Sequence, residues 1–159
     1  MGTFSKSFAS LGGFIACDKT ITNFLRHHSR SYIFTASITP ASTAAASAAL
    51  DIMMSEPERM ENLWDITHYA LDGFRNMGCE IGNTSTPIIP LYIRDNNLTF
   101  MITKELSDAG IFVNPVVSPA VAPHDTLIRF SLMATHTKEQ VTIALETIQK
   151  IFKKYNLIP

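Results

Sequence analysis

The side chains with the most chemical potential stand together at the start of the sequence. In "MGTFSKSFASLGGF" a lysine, Lys6, lies among small and hydroxyl residues, with Thr3 and Ser5 before it and the pair Gly12 and Gly13 after it. Two chemistries use a lysine in such company. A phosphate-cradling P-loop ends in Lys-Ser, but it needs glycine directly before the lysine and a strand ahead of the loop. Here Ser5 holds that place and no strand or first glycine precedes it, so nucleotide cradling is set aside. The other chemistry is an amine that captures a carbonyl. A lysine becomes a nucleophile when burial or nearby cations disfavour its ammonium, and small neighbours let a flat cofactor lie against the backbone. Thr3 and Ser5 then offer hydroxyls to a phosphate. On composition alone Lys6 reads as an ordinary solvated surface lysine, and spacing alone does not overturn that.

Fewer residues elsewhere could carry chemistry. In "TLIRFSLM" strand alternation puts Leu127, Arg129 and Ser131 on one face and Ile128, Phe130 and Leu132 on the other, so Arg129 points away from the more apolar side. It reads either as half of a structural ion pair or as a bidentate carboxylate binder. His124 and His136 fall in loop and cap positions, and His27 and His28 on a solvated helix. The two cysteines, Cys17 and Cys79, have no spacing partners for metal or redox chemistry and read as buried structural thiols. No metal site is expected.

The elements that must position these groups follow from punctuation and period. "GGFIAC" (12–17) suits a strand entered through a tight turn, and "DKTITNFLRHHSR" (18–30) a helix capped by Asp18 with Ile21, Phe24 and Leu25 on one side. An aromatic, polar loop then runs through Pro40 into an Ala/Ser/Thr-rich helix ending near Met54. Its small side chains let another backbone approach closely, either inside a tight core or across a subunit contact. "SEPE" (55–58) spells a capping box for a long amphipathic helix that Gly78 closes, with Trp64, Met53, Met54, Met60 and Met77 expected as core filling. Strands are expected at 87–94, 111–115 and 126–133, a helix stopped by Gly110 between the first two, and a last helix over 135–155 capped by Thr137 and Gln140. Strands separated by helices make a small α/β layer domain.

Composition narrows the partners. The chain has 159 residues, 46% of them hydrophobic, with 13 basic against 14 acidic side chains and a net charge of −1. Its mean hydropathy is +0.12. That is apolar for a free-standing domain and hints at surface meant for a partner, while the charge balance leaves no footprint for nucleic acid or an anionic membrane. Neither a signal-peptide layout nor a spanning apolar run is present, so a cytoplasmic protein is the default expectation.

"GTFSKSFASLGGFIA" resembles the cofactor-lysine motif of the pyridoxal phosphate-dependent α-oxoamine synthases. The likeness continues through "YIFTASITPA", "EPERMENLWDITHYAL" and "SPAVAPHDTLIRFSLMATHT", and within that family it is closest to the bacterial serine palmitoyltransferases. It implies an α/β fold, the C-terminal portion of the aspartate aminotransferase type (fold type I). Residues 1–55 would be the end of the large pyridoxal phosphate-binding domain, with the cofactor lysine, a strand and an interface helix. Residues 56–159 would be a long connecting helix and the small α/β domain. Members of the family are more than twice this long, so the chain is expected to be a fragment. The aspartate that holds the pyridine nitrogen and the histidine that stacks on the ring would lie upstream.

The resemblance also distributes roles. Lys6 would hold the cofactor as an internal aldimine and then serve in proton transfer at the α-carbon. Thr3 matches the family's phosphate-binding hydroxyl, Ser5 adds another, and Thr35 in "FTAS" matches a residue reaching the cofactor phosphate of the other subunit, which implies a homodimer. Ala36 follows it where some relatives carry a further hydroxyl. The family's carboxylate clamp is an arginine in Arg-Pro-Pro, but "VNPVVSPAV" has Val117 at the arginine's place and Ser118 at the first proline's. Arg129 is then the remaining substrate-binding candidate.

The activity implied is condensation of L-serine with a long-chain acyl-coenzyme A, with loss of carbon dioxide. Sister reactions, those of 2-amino-3-ketobutyrate coenzyme A ligase and 8-amino-7-oxononanoate synthase, remain open, as does a non-catalytic interaction domain should the chain be native at this length. With half of the cofactor pocket expected elsewhere, residues 1–159 alone should show no synthase turnover in an acyl-coenzyme A assay, and light scattering should find them associated at high concentration.

Overall fold

The first of two units begins with a hairpin whose ladder is only two residues long. The computed structural model describes residues 1–159 and divides into Met1–Pro57 and Glu58–Pro159. β1 (Gly2–Thr3) pairs antiparallel with β2 (Gly13–Phe14), Gly2 opposite Phe14 and Thr3 opposite Gly13. A Cβ on Gly13 would sit 2.5 Å from the Gly2 carbonyl oxygen, so only glycine lets the strands close here. The strand expected over 12–17 is found only at Gly13–Phe14.

Three helices complete this unit. α1 (Lys19–His28) starts after Asp18 as expected, yet the Asp18 side chain makes no cap; Thr22 Oγ1 donates to the Asp18 carbonyl at 3.1 Å instead. α2 (Arg30–Ile33) is a single turn capped by Ser29, inside a stretch expected to be loop. α3 (Pro40–Ser55) is the small-residue helix, with Thr39 Oγ1 accepting from the Ser42 N–H at 3.2 Å and Pro40 in its first turn. Ser55 ends α3 rather than capping the next helix, and its hydroxyl donates to the Ile52 carbonyl. Pro57 disfavours helical backbone at Glu56, so one helix must finish before the other begins. Ala46 is the one buried residue of the unit, and Phe34, Tyr32, Leu11 and Met54 stand exposed.

The second unit owns the core. α4 (Glu58–Asn76), β3 (Ile88–Tyr92), α5 (Asn96–Asp108), β4 (Asn114–Val116), β5 (Leu127–Ser131) and α6 (Lys138–Lys154) follow in order, with a 3-10 turn at Pro123–Asp125 before β5. The sheet is antiparallel in the order β3-β5-β4. Its buried face carries Ile89, Leu91, Ile128 and Phe130, as strand alternation predicts. Against it pack Ile66, Ala70, Leu71 and Phe74 of α4, Ile102 and Leu106 of α5, and Val141, Ala144, Leu145, Ile148 and Phe152 of α6. The Phe74 and Phe130 rings meet edge-on at 5.1 Å. α4 and α6 approach so closely that a Cβ on Gly73 would meet Leu145 Cδ1 at 2.5 Å.

Caps set the ends of these helices. Thr137 and Gln140 form the reciprocal capping box that their spacing predicts, at 3.3 and 3.0 Å. Asp95 Oδ1 accepts from the Leu98 N–H at 2.7 Å to start α5. The strand expected over 111–115 begins only at Asn114, because the Ile111 N–H is still engaged with the Leu106 carbonyl closing α5. Of the side chains expected as core filling, Met77 packs on the core, whereas Trp64, Met53, Met54 and Met60 are exposed. Cys79 is buried, and burial pushes its thiol up to about 11. Cys17, expected to be buried too, is exposed, since the unit it belongs to has almost no interior.

Replacing Phe74 with alanine should cost about 3–5 kcal/mol in a denaturant melt, the scale of a core aromatic deletion. Phe100→Ala, on the exposed side of α5, should stay within about 0.5 kcal/mol.

Candidate functional site

The loop between β1 and β2 is closed by backbone hydrogen bonds rather than by a core. The Phe4 N–H donates to the Gly12 carbonyl at 2.9 Å, and the Ser10 N–H to the Phe4 carbonyl at 2.8 Å. Within that closure the Ala9 N–H donates to the Lys6 carbonyl at 2.9 Å, making Lys6 the first residue of a tight turn. The Phe4 ring lies 5.1 Å from that of Phe8 and 5.8 Å from that of Phe14. Ser10 Oγ donates to the Ser42 carbonyl at 2.7 Å, tying the loop to the first turn of α3. Lys6 is thus held by its backbone while its side chain stands exposed, with no carboxylate in ion-pair range.

Thr3 and Ser5, both ahead of this turn, are exposed. Thr3 lines a cavity of about 510 Å³ with Gly2, Gly13, Phe14 and residues of α1, and Ser5 lines a shallow groove against Ala41, Ser42 and Ala45 of α3. Thr35 is exposed between α2 and α3. One unit therefore carries Lys6, Thr3, Ser5 and Thr35, the first three on one hairpin. These groups comprise an amine and hydroxyls, which suit an aldehyde and a phosphate. No acidic side chain among them could pair with a ring nitrogen.

Arg129 belongs to the second unit, at the middle of β5 on the uncovered face of the sheet. Pro90 and Asn114 flank it in register. Of the two roles open to it, the ion pair is not formed, as no carboxylate lies within reach. The remaining histidines keep local roles: His136 Nδ1 accepts from the Met133 N–H at 3.2 Å, and His27 and His28 bond to carbonyls one turn back on α1.

A polar cluster that sequence reading missed joins segments far apart in the chain. Arg94, with φ +68, donates through Nε to Glu80 Oε2 at 3.2 Å and through Nη2 to Glu80 Oε1. Its Nη1 donates to the His124 carbonyl at 3.1 Å and to Asp125 Oδ1 at 2.5 Å, and the guanidinium lies 4.5 Å from the Tyr92 ring centroid. The hydrogen bond from Arg94 holds the Glu80 carboxyl below the usual range, and the same bond raises Arg94. Partners 14 and 31 positions away leave no local pattern to read.

The chain matches the aminotransferase class I and II family over residues 1–148 and belongs to it. Its fold is the C-terminal part of the fold type I architecture, as the sequence resemblance implies. Among curated relatives it is 60% identical over 158 residues to a serine palmitoyltransferase of Bacteroides thetaiotaomicron, covering 99% of this chain and 40% of that protein. It is 37% identical to an 8-amino-7-oxononanoate synthase of Bacillus pumilus over the same shares. Among solved structures, a high-resolution structure of SPT with PLP internal aldimine superposes with TM-score 0.90 at 32% identity, over 99% of this chain and 40% of that one. The chain thus spans about two-fifths of the length of these relatives. No helix is long and apolar enough to cross a membrane.

Glu80 gives a pH test with a definite sign. Its folded pKa is depressed, so its contribution is present above the ordinary glutamate range and is lost as pH falls through the lowered value. In urea melts, Glu80→Gln should be less stable than wild type at neutral pH, and the gap should close as the buffer is taken below that range.

Proposed function

We propose that this chain is the cofactor-lysine and C-terminal portion of a pyridoxal phosphate-dependent α-oxoamine synthase. Residues 1–55 close its large domain, and 56–159 form the connecting helix and small domain. The enzyme joins L-serine to a long-chain acyl-coenzyme A, releasing carbon dioxide and coenzyme A and leaving a 3-ketosphinganine-type product. The observation that carries the choice is the 60% identity to a serine palmitoyltransferase, against 37% to an 8-amino-7-oxononanoate synthase across the same stretch.

The residues present fit the cofactor in part. Lys6 Nζ, free of any ion pair, is the amine that holds the cofactor aldehyde when substrate is away. Thr3 and Ser5 hydroxyls donate to the phosphate, and Thr35 reaches the phosphate of a second copy, which makes the working unit a homodimer. When bound, pyridoxal phosphate supplies an electron sink for negative charge developing at the amino acid's α-carbon. Lys6 Nζ then moves the proton at that carbon, as a positioned acid–base group. Arg129, lacking an internal partner, holds the amino acid's carboxylate in place of the clamp that Val117 cannot provide.

Complete polypeptide carrying this chain, given L-serine and palmitoyl-coenzyme A, should release the ketone product in a mass-spectrometric assay. Lys6→Ala should lower turnover about a thousandfold and abolish the visible absorption of lysine-bound cofactor. Turnover with glycine or alanine but not serine would move the reading to a sister synthase. No turnover with any of them would leave the non-catalytic alternative.

A further inference from the structure

The edge strand β4 starts late, and a groove is left beside it. Gly110 follows α5 with φ +84, and the Ile111 N–H still donates to the Leu106 carbonyl at 2.8 Å, so residues 110–113 stay out of the ladder with β5, which begins at Asn114. The end of β5 is tied on its other side instead, where the Leu132 N–H donates to the Pro87 carbonyl at 2.9 Å. Between residues 110–112 and Ser131 and Leu132, with the first half of α6 as a third wall, lies a cavity of about 350 Å³. Small-molecule sites span roughly 300–1,000 Å³.

Its chemistry is one-sided. Phe130, Leu132 and Ala144 are buried at its inner wall, while Phe112 and Ile143 stand at its lips, 87% and 57% exposed. No charged side chain lines it. His136 Nδ1 already accepts from the Met133 N–H, and Gln140 Oε1 from the Thr137 N–H. The groove thus offers little to a polar ligand and much to an alkyl chain. Its place narrows the choice further. Ser131 lines the groove and lies two residues beyond Arg129 on the same open face of β5, about 7 Å along the strand. In the proposed reaction the thioester carbonyl carbon bonds to the α-carbon of an amino acid whose carboxylate Arg129 holds. The acyl chain therefore sets out close to Arg129, and the groove opens beside it.

We propose that the groove between residues 110–112, the end of β5 and α6 is an acyl-chain subsite, taking the distal methylenes of a long-chain acyl thioester. This rests on the function proposed above and adds to it a physical basis for chain length. Each methylene that the groove buries should strengthen binding about fourfold, the effect of transferring one CH2 group out of water. A chain too short to pass Ser131 gains nothing from it. The coenzyme A half, with its phosphates, finds no cation here and must lie elsewhere.

The test uses the complete polypeptide and a palmitoyl-coenzyme A analogue with a diazirine at the end of its chain. Photolysis should attach the label to peptides carrying Phe112 or Ile143, and excess palmitoyl-coenzyme A should suppress it, both read by mass spectrometry without any need for turnover. Phe112→Glu and Ile143→Glu put a carboxylate at exposed lips, where the fold should tolerate it. Each should cut the preference for palmitoyl- over octanoyl-coenzyme A in kcat/KM about tenfold, the scale of one to two buried methylenes, with the KM for serine little changed. Label confined to other segments would overturn the subsite, as would an undiminished chain-length preference in both variants. Label elsewhere together with loss of the dimer in Phe112→Glu would make the groove a subunit contact and overturn it too. Failure of the wild type with serine and palmitoyl-coenzyme A would count against the proposed function, and the labelling would then decide the subsite alone.

Discussion

One face of a three-stranded sheet has to be kept from water, and the second unit is organised around that requirement. Ile89, Leu91, Ile128 and Phe130 cannot be covered by each other, because strand alternation sends them all to the same side. Three helices cover them, each turning an apolar stripe inward, and Gly73 lets two of them come close enough to leave no gap. The opposite face is left to Arg129, Pro90, Asn114 and their neighbours. A cation in the middle of a sheet is tolerable only on that side, so the same constraint that builds the core also fixes where Arg129 can stand.

The first unit solves a different problem with different means. It holds Lys6 in a defined turn through three backbone hydrogen bonds beside a group of packed aromatic rings, with little apolar burial of its own. Such a unit displays apolar side chains that a globular monomer would normally hide. This agrees with a chain that spans about two-fifths of its relatives' length. In the proposed enzyme, the remaining polypeptide and a second copy supply both the cover for those side chains and the missing partner of the cofactor ring.

What could be read from sequence was whatever local chemistry dictates. The capping pair Thr137 and Gln140, the stop at Gly78, and the two faces of β5 each depend on residues a few positions apart, and each is found where spacing places it. Lys6 was legible from its motif rather than from any physical pattern, for an exposed lysine among small residues is common. The failures come from competition between neighbours or from distance. Ser55 was drawn into the end of α3, Asn114 rather than Ile111 opens β4 because α5 had not finished, and Trp64 lies where helical period alone did not place it. The Arg94 cluster was invisible because its three segments meet only after the chain has folded.

The two thiols divide between the units in a way that has practical weight. Cys79 is sealed in the core with a thiol that stays protonated well beyond neutrality, so it is a poor nucleophile, while Cys17 lies open on the first unit. Within residues 1–159, a fluorophore or spin label added under native conditions would therefore be steered to Cys17 rather than Cys79. The molecule comes with a built-in address for spectroscopy, on the unit that carries Lys6.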